Sequence, residues 1–472
     1  MLPVKHVSLD AVARGVIAIM SGKPTYRWWS GVLLLLSAPV WAWSDHANLV
    51  WPLLRKQPAL VSQSVPAEPL EQFLVAEQAA IAQTLDQVET WATDNIEHYP
   101  PTPVSLTWQH NSAPIRERFL SAIRVNPRLS YPLYVGPSPE RPSPITEALP
   151  WSSVSFLGGG SAQQASRYWH LDAGDPVSIA EVLATASDEP DLGMDIGLFE
   201  NNGTAFGLQY GFGLQPFGNP NLDYGSQAPF HMGFYHLDWL ARLAQPDLLR
   251  TFPLWRIALY GELADLAFRT GHLYWGWRFL GWGLHYVGDL TQPYHAIPLP
   301  GVGTLEALWS VAQGKTPELV QQVSNRHGVI ESYQYQRLKA ALEASDWATP
   351  LLRAVADHGG TEPLEYVSFV SDLTRASVAA AGPFDAAIAA HVPPRFVSDP
   401  NFEWTGSGFE SDLIDIVKTE RGDSAINRLD AAVAQQLVRF SSVASRWIAR
   451  GQFSFEQDEK AVVQSEEGVV GE

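Results

Sequence analysis

Apolar residues in this chain recur at intervals of three, four and seven, and hardly anywhere at intervals of two. Leu70, Leu74, Ile81, Leu85, Val88 and Trp91 form one such stripe, residues 253–287 carry another, and Ile426, Leu429, Val433, Leu437, Phe440 and Trp447 a third. A helix places residues three, four and seven apart on one face, whereas a half-buried strand needs strict alternation. The spacing therefore predicts an all-α fold, with one amphipathic helix over 70–96 that Pro100, Pro101 and Pro103 stop. A length of 472 residues, 46% of them hydrophobic, is enough for a large core. Trp275, Trp277 and Trp282 are expected in that core rather than on a lipid-facing surface.

Three segments depart from this pattern. Residues 136–150 are Pro-rich and predict an extended surface segment, and 197–227, rich in Gly, Asn and Pro, predict a long ordered loop of the kind that carries function. The acidic end, 453–472, lacks periodicity and is expected to be a disordered tail. At the other end, an apolar run over 28–42 follows Lys23 and Arg27 and closes on small residues at Val40 and Ala42. This is the layout of a secretory signal peptide spanning 1–42, with Trp43 as the first residue after cleavage.

Composition narrows the chemistry. The chain has no cysteine, which excludes disulfide scaffolds, thiolate zinc fingers and iron–sulfur clusters, so any metal must be held by nitrogen and oxygen. A net charge of −19 argues against stable nucleic-acid binding. The Gly158–Gly160 run lacks the Lys and Ser/Thr of a phosphate-binding loop, and no Gly-x-Ser-x-Gly elbow is present.

Nitrogen and oxygen donors cluster in four places. In LHYVGDLTQPYHA, 284–296, His285 and Asp289 are four apart and share a helix face, Gly288 leaves room beside them, and Pro293 turns the chain so that His295 can return to the same cluster. A buried histidine bonded to an aspartate would use the same spacing. His327 and Glu331 repeat the interval on another expected helix. Upstream, Asp188, Asp191 and Asp195 lie close together, as do His231 and His236.

The string HYVGDLTQPYHA, with Trp43-Ser-Asp-His46 directly after the cleavage site, resembles the zinc-dependent phospholipase C and P1 nuclease superfamily. The resemblance covers 43–46 and about 186–335. It implies an all-α fold with long loops, and three zinc ions held by Trp43, His46, Asp191, His231, His285, Asp289, His295, His327 and Glu331. Asp191, His231, His285 and Asp289 would hold one ion. His295, His327 and Glu331 would hold a second. The third would sit between the Trp43 amine and carbonyl, His46 and the shared Asp289. Asp191 would also act as catalytic base. Asp195, Asp223, His236 and, more remotely, Asp94 compete for the Asp191 and His231 positions.

On this reading 43–452 is a helical trizinc phosphodiesterase domain, with an insertion over about 48–185 and a C-terminal helical part over about 345–452. Tyr286 and Ala296 look closer to the phospholipase branch, so the expected activity is hydrolysis of the glycerol–phosphate bond of phospholipids, with transient contact at a membrane surface. A single-strand nuclease or 3'-nucleotidase is the alternative within the superfamily, and a non-catalytic zinc-stabilised binding protein is the alternative outside it.

Overall fold

A computed structural model of the protein describes residues 45–109, 112–138, 148–158, 168–356 and 364–469, with side chains as far as Gly451. The signal segment, Trp43 and the middle of the Pro-rich stretch lie outside the described residues. The chain is all-α, with 64% helix against 3% strand. The helices that build the site and its surroundings are α1 (His46–Leu54), α2 (Leu70–Ala76), α3 (Gln78–Asn95), α4 (Ile179–Asp188), α5 (Asp223–His231), α6 (Trp239–Ala244), α7 (Pro253–Arg269), α8 (Leu273–Asp289), α9 (Pro293–Ala296), α10 (Thr304–Ala312), α11 (Thr316–Glu343), α12 (Tyr366–His391) and α13 (Asp423–Val469). The strands are short. Ser64–Pro66 pairs antiparallel with Pro176–Ser178, and Tyr168–His170 lies between Tyr134–Val135 and Ala148–Leu149.

The centre of the molecule is the α7–α8 hairpin, turned at Gly271, whose φ of +80° suits a residue without Cβ. Every residue of α8 from Tyr274 to Asp289 is buried, as a helix enclosed on all sides requires. Its glycines let neighbours approach. A Cβ on Gly281 would meet Ala186 of α4, and one on Gly283 would lie 2.3 Å from the Trp447 ring of α13. That indole donates to the Leu280 carbonyl at 2.8 Å. Trp275, Trp277 and Trp282 are all in this core.

The 48–185 segment shares it: Phe73 and Phe119 pack on Phe279 at ring distances of 5.7 and 6.1 Å, and Trp275 Nε1 donates to the Glu68 carbonyl at 2.9 Å. Three local departures from the helical period appear. The 70–96 stripe is two helices broken at Glu77, which has ψ near 24°. The 253–287 stripe is also two, broken at Gly271. The last helix runs on to Val469 instead of stopping near 452, since no Pro and only one Gly interrupts 452–469. The loop expected over 197–227 is irregular as far as Leu222 apart from one short 3-10 turn, but its last five residues form the start of α5.

Candidate metal centre

Eight of the nine residues assigned from the resemblance converge on the buried end of α8; the ninth, Trp43, lies outside the described residues. Asp45, in a left-handed conformation, caps α1 by accepting from Asn48 N at 2.9 Å, and this turns His46 inward. Asp191 comes from a 3-10 turn, Glu189–Leu192, in which the buried Glu189 is fixed by Arg278 and Trp282 of α8. His231 ends α5, His285 and Asp289 lie one turn apart on α8, His295 lies on α9, and His327 and Glu331 lie one turn apart on α11.

Around Asp289 Oδ2 stand His231 Nδ1 at 2.9 Å and His285 Nε2 at 3.3 Å, with 3.1 Å between the two nitrogens. Asp191 Oδ1 is 3.9 and 3.8 Å from the same two nitrogens. A tetrahedral ion with ligand bonds of about 2.0–2.1 Å has edges of about 3.3 Å, so His231, His285 and Asp289 are spaced as three ligands of one ion would be, while Asp191 stands farther off and groups with His46 and His285. The other oxygen, Asp289 Oδ1, faces His46 Nε2 at 3.3 Å. A second group is formed by His295 Nε2, 3.2 Å from His327 Nε2, and Glu331 Oε1, 2.7 Å from His327 Nε2.

Tautomers are set from behind. His285 Nδ1–H donates to the Ser187 carbonyl at 2.8 Å and His295 Nδ1–H to the His231 carbonyl at 3.0 Å, leaving both Nε2 lone pairs aimed inward. His231 turns Nε2 towards Asp195 Oδ2 at 3.5 Å. Asp195 is in turn held by Arg256 and by the Tyr286 hydroxyl, each at 2.5 Å. The fit to a cation shows in what remains unpartnered: both nitrogens of His46, Asp289 Oδ1 and Glu331 Oε1 are buried without a hydrogen bond. Buried polar atoms are rarely left so; here His46 Nε2 faces Asp289 Oδ1 at 3.3 Å, and Glu331 Oε1 lies beside the His327 and His295 rings.

Electrostatics agree. Burial lowers His46 to about 4 and His327 to about 3, so both stay neutral donors. Burial alone would lower His231 too, but Asp195 and Asp289 outweigh it and raise it to about 10; burial lifts Glu331 to about 8.

Asp195 is a carboxylate supporting His231 rather than a replacement for Asp191. His236 Nε2–H donates to the Ser371 carbonyl at 2.8 Å, away from the cluster, and Asp223 and Asp94 are exposed. Arg256 and its bond to Asp195 were invisible to sequence reading, because the two are 61 positions apart and nothing local marks the pair. Gly288 is the expected gap: a Cβ there would lie 3.0 Å from His46 Nδ1. Gly288→Ala is expected to leave the fold intact, because alanine favours a helix by about 1 kcal/mol over glycine, while displacing His46 and weakening any metal binding there. Metal analysis beside a thermal melt checks both halves.

No protein-family model matches the chain, nor does any curated protein or any solved structure.

Proposed function

We propose that this protein is an exported zinc-dependent phosphodiesterase of the phospholipase C kind, cleaving the glycerol–phosphate bond of phospholipids. The observation that carries the reading is Asp289, a buried carboxylate with one oxygen amid His231, His285 and Asp191 and the other against His46. One donor set is Asp191, His231, His285 and Asp289, a second is His295, His327 and Glu331, and a third is His46 and Asp289 completed by Trp43. Zinc bound there supplies Lewis acidity towards a phosphoryl group and the water that attacks it.

The rest is the work of the chain's own side chains. Among the described ligands Asp191 is the one that reaches the surface, with 14% of its side chain exposed, which puts it at the outer edge of the centre. Gln227 Nε2 donates to its Oδ1 at 3.2 Å and fixes the carboxylate, leaving Oδ2 to take a proton from the attacking water. Asp195 and Tyr286 hold the His231 ring in place behind it. The acidic balance, −19, favours a lipid phosphodiester over a polyanion.

Burial of every described ligand except Asp191 is the observation that favours a second reading, a non-catalytic zinc-stabilised binding protein, because structural zinc sites are closed and catalytic ones keep an open position. Zinc content, hydrolysis of a phosphatidylcholine analogue and hydrolysis of single-stranded DNA, measured on one sample, separate the readings. About three ions per chain and chelator-sensitive cleavage of the lipid analogue are expected. Zinc with no cleavage supports the binding protein, cleavage of DNA alone supports the nuclease branch, and absence of zinc removes the metal centre.

A further inference from the structure

Two short helices next to the metal centre have no part in the core. Among the described residues neither α6 nor α10 contains a buried side chain. Each instead exposes a Trp and a Leu one turn apart: Trp239 (70% exposed) and Leu243 (59%) on α6, Leu305 (63%) and Trp309 (59%) on α10. Residues four apart share a helix face, so each helix presents one indole–leucine stripe to solvent. The two helices are tied together at their N-terminal ends. Asp238 caps α6 by accepting from Leu240 N and Ala241 N, and its other oxygen accepts from Thr304 Oγ1, the first residue of α10. Trp239 and Leu305 each follow directly on a member of that bonded pair. Both helices also hang from ligand-bearing elements, α6 starting eight residues after His231 and α10 eight residues after Ala296, the neighbour of His295.

We infer that the α6–α10 pair is a docking surface for a zwitterionic lipid membrane. The two indoles together expose roughly 300 Å², taking about 200–250 Å² for a whole ring side chain, far below the ~800 Å² per partner that a stable protein interface buries. A membrane needs no such area, since it takes single side chains at its interface, where indoles prefer to sit. The surrounding charges choose the lipid. Arg242 is paired with Glu97 and Arg250 with Asp247, and Glu306 and Lys315, one of each sign, remain beside α10. That near-neutral rim on a chain of net charge −19 suits a zwitterionic surface and is repelled by an anionic one. The surface deepens the phospholipid reading, but its binding is measurable without turnover.

The test is co-sedimentation of the full chain with phosphatidylcholine vesicles, with phosphatidylserine vesicles, and of the variant Trp239→Ser/Trp309→Ser with the former. The wild type is expected to partition onto phosphatidylcholine more strongly than onto phosphatidylserine. The double variant should lose about tenfold per indole, the equivalent of about one apolar side chain's transfer each. Val104→Ser, which changes an apolar residue 68% exposed elsewhere, should partition as the wild type does. Equal partitioning of the double variant, or a wild type that fails to sediment with phosphatidylcholine, overturns the docking surface. So does a dimer in sedimentation velocity that the double variant abolishes, since the patch would then belong to a second copy. Hydrolysis of a water-soluble phosphodiester is run alongside and should be the same in wild type and variant. Soluble turnover without vesicle binding sinks the docking surface alone, and vesicle binding without turnover of any phosphodiester sinks the enzymatic reading alone.

Discussion

Asp289→Asn is expected to abolish turnover and to release more than one zinc ion from a protein that still folds. Asn keeps the shape of the side chain, but it replaces a carboxylate that faces His231 and His285 with one oxygen and His46 with the other. An amide offers one weaker oxygen donor and no negative charge, so two ion positions lose their shared ligand together. Loss of several kcal/mol of transition-state charge stabilisation corresponds to about a thousandfold or more in rate. Metal analysis and turnover on the same sample check it. Full zinc content with retained activity would remove Asp289 from the centre.

The largest effect on stability is expected at Arg256. Its guanidinium, fully buried, donates to the Ile123 and Arg124 carbonyls and to Asp195. Burial alone would lower its pKa, but the Asp195 carboxylate, with the nearby Tyr260 and Tyr286, outweighs it and raises the pKa above the ordinary arginine value. Arg256→Met strands a buried carboxylate and two buried carbonyls, and breaking a buried pair from one side costs about 3–5 kcal/mol. Adding Asp195→Leu removes the stranded charge and should restore much of that loss. It should not restore zinc affinity, because His231 then has no carboxylate behind Nε2, and losing such a partner typically weakens a metal site about 10–100-fold. Chemical denaturation of both variants with zinc titration separates the two contributions. A double variant with wild-type zinc affinity would make Asp195 a packing residue only.

Local spacing makes parts of this protein readable in advance. His285 with Asp289 and His327 with Glu331 each lie one turn apart on a single helix, so their convergence on one face follows from the period of 3.6 residues. The α13 stripe is equally legible, since Val433, Leu437, Phe440 and Trp447 are all buried. The break at Glu77 is not, because neither Pro nor Gly marks it and the apolar phase continues across it. The choice of His231 over His236 is settled by where α5 ends, which the run APFHMGFYH does not show. The network of Asp195, Arg256 and Tyr286 joins residues 61 and 91 positions apart, beyond any local pattern. Exposure of Trp239 and Trp309 is hidden for the opposite reason. An apolar pair one turn apart is the usual mark of a core-facing stripe, and only the arrangement of α6 and α10 turns it outward.

The seating of α1 bears on how the centre would acquire its ions. His46 and Glu331 are separated by about 285 residues, and bringing chain ends that far apart together costs about 5 kcal/mol of loop-closure entropy. Metal bonds need not supply that, because Leu49, Val50, Trp51, Leu53 and Leu54 are all buried beside His46. Five such side chains contribute about 8–15 kcal/mol, which exceeds the closure cost. Burial of α1 thus brings His46 to the other donors without help from metal bonds, and Asp191, with 14% of its side chain exposed, is where an ion would reach the otherwise buried described donors. Zinc exchange should accordingly be slow in both directions, with the occupied centre acting as a kinetic trap.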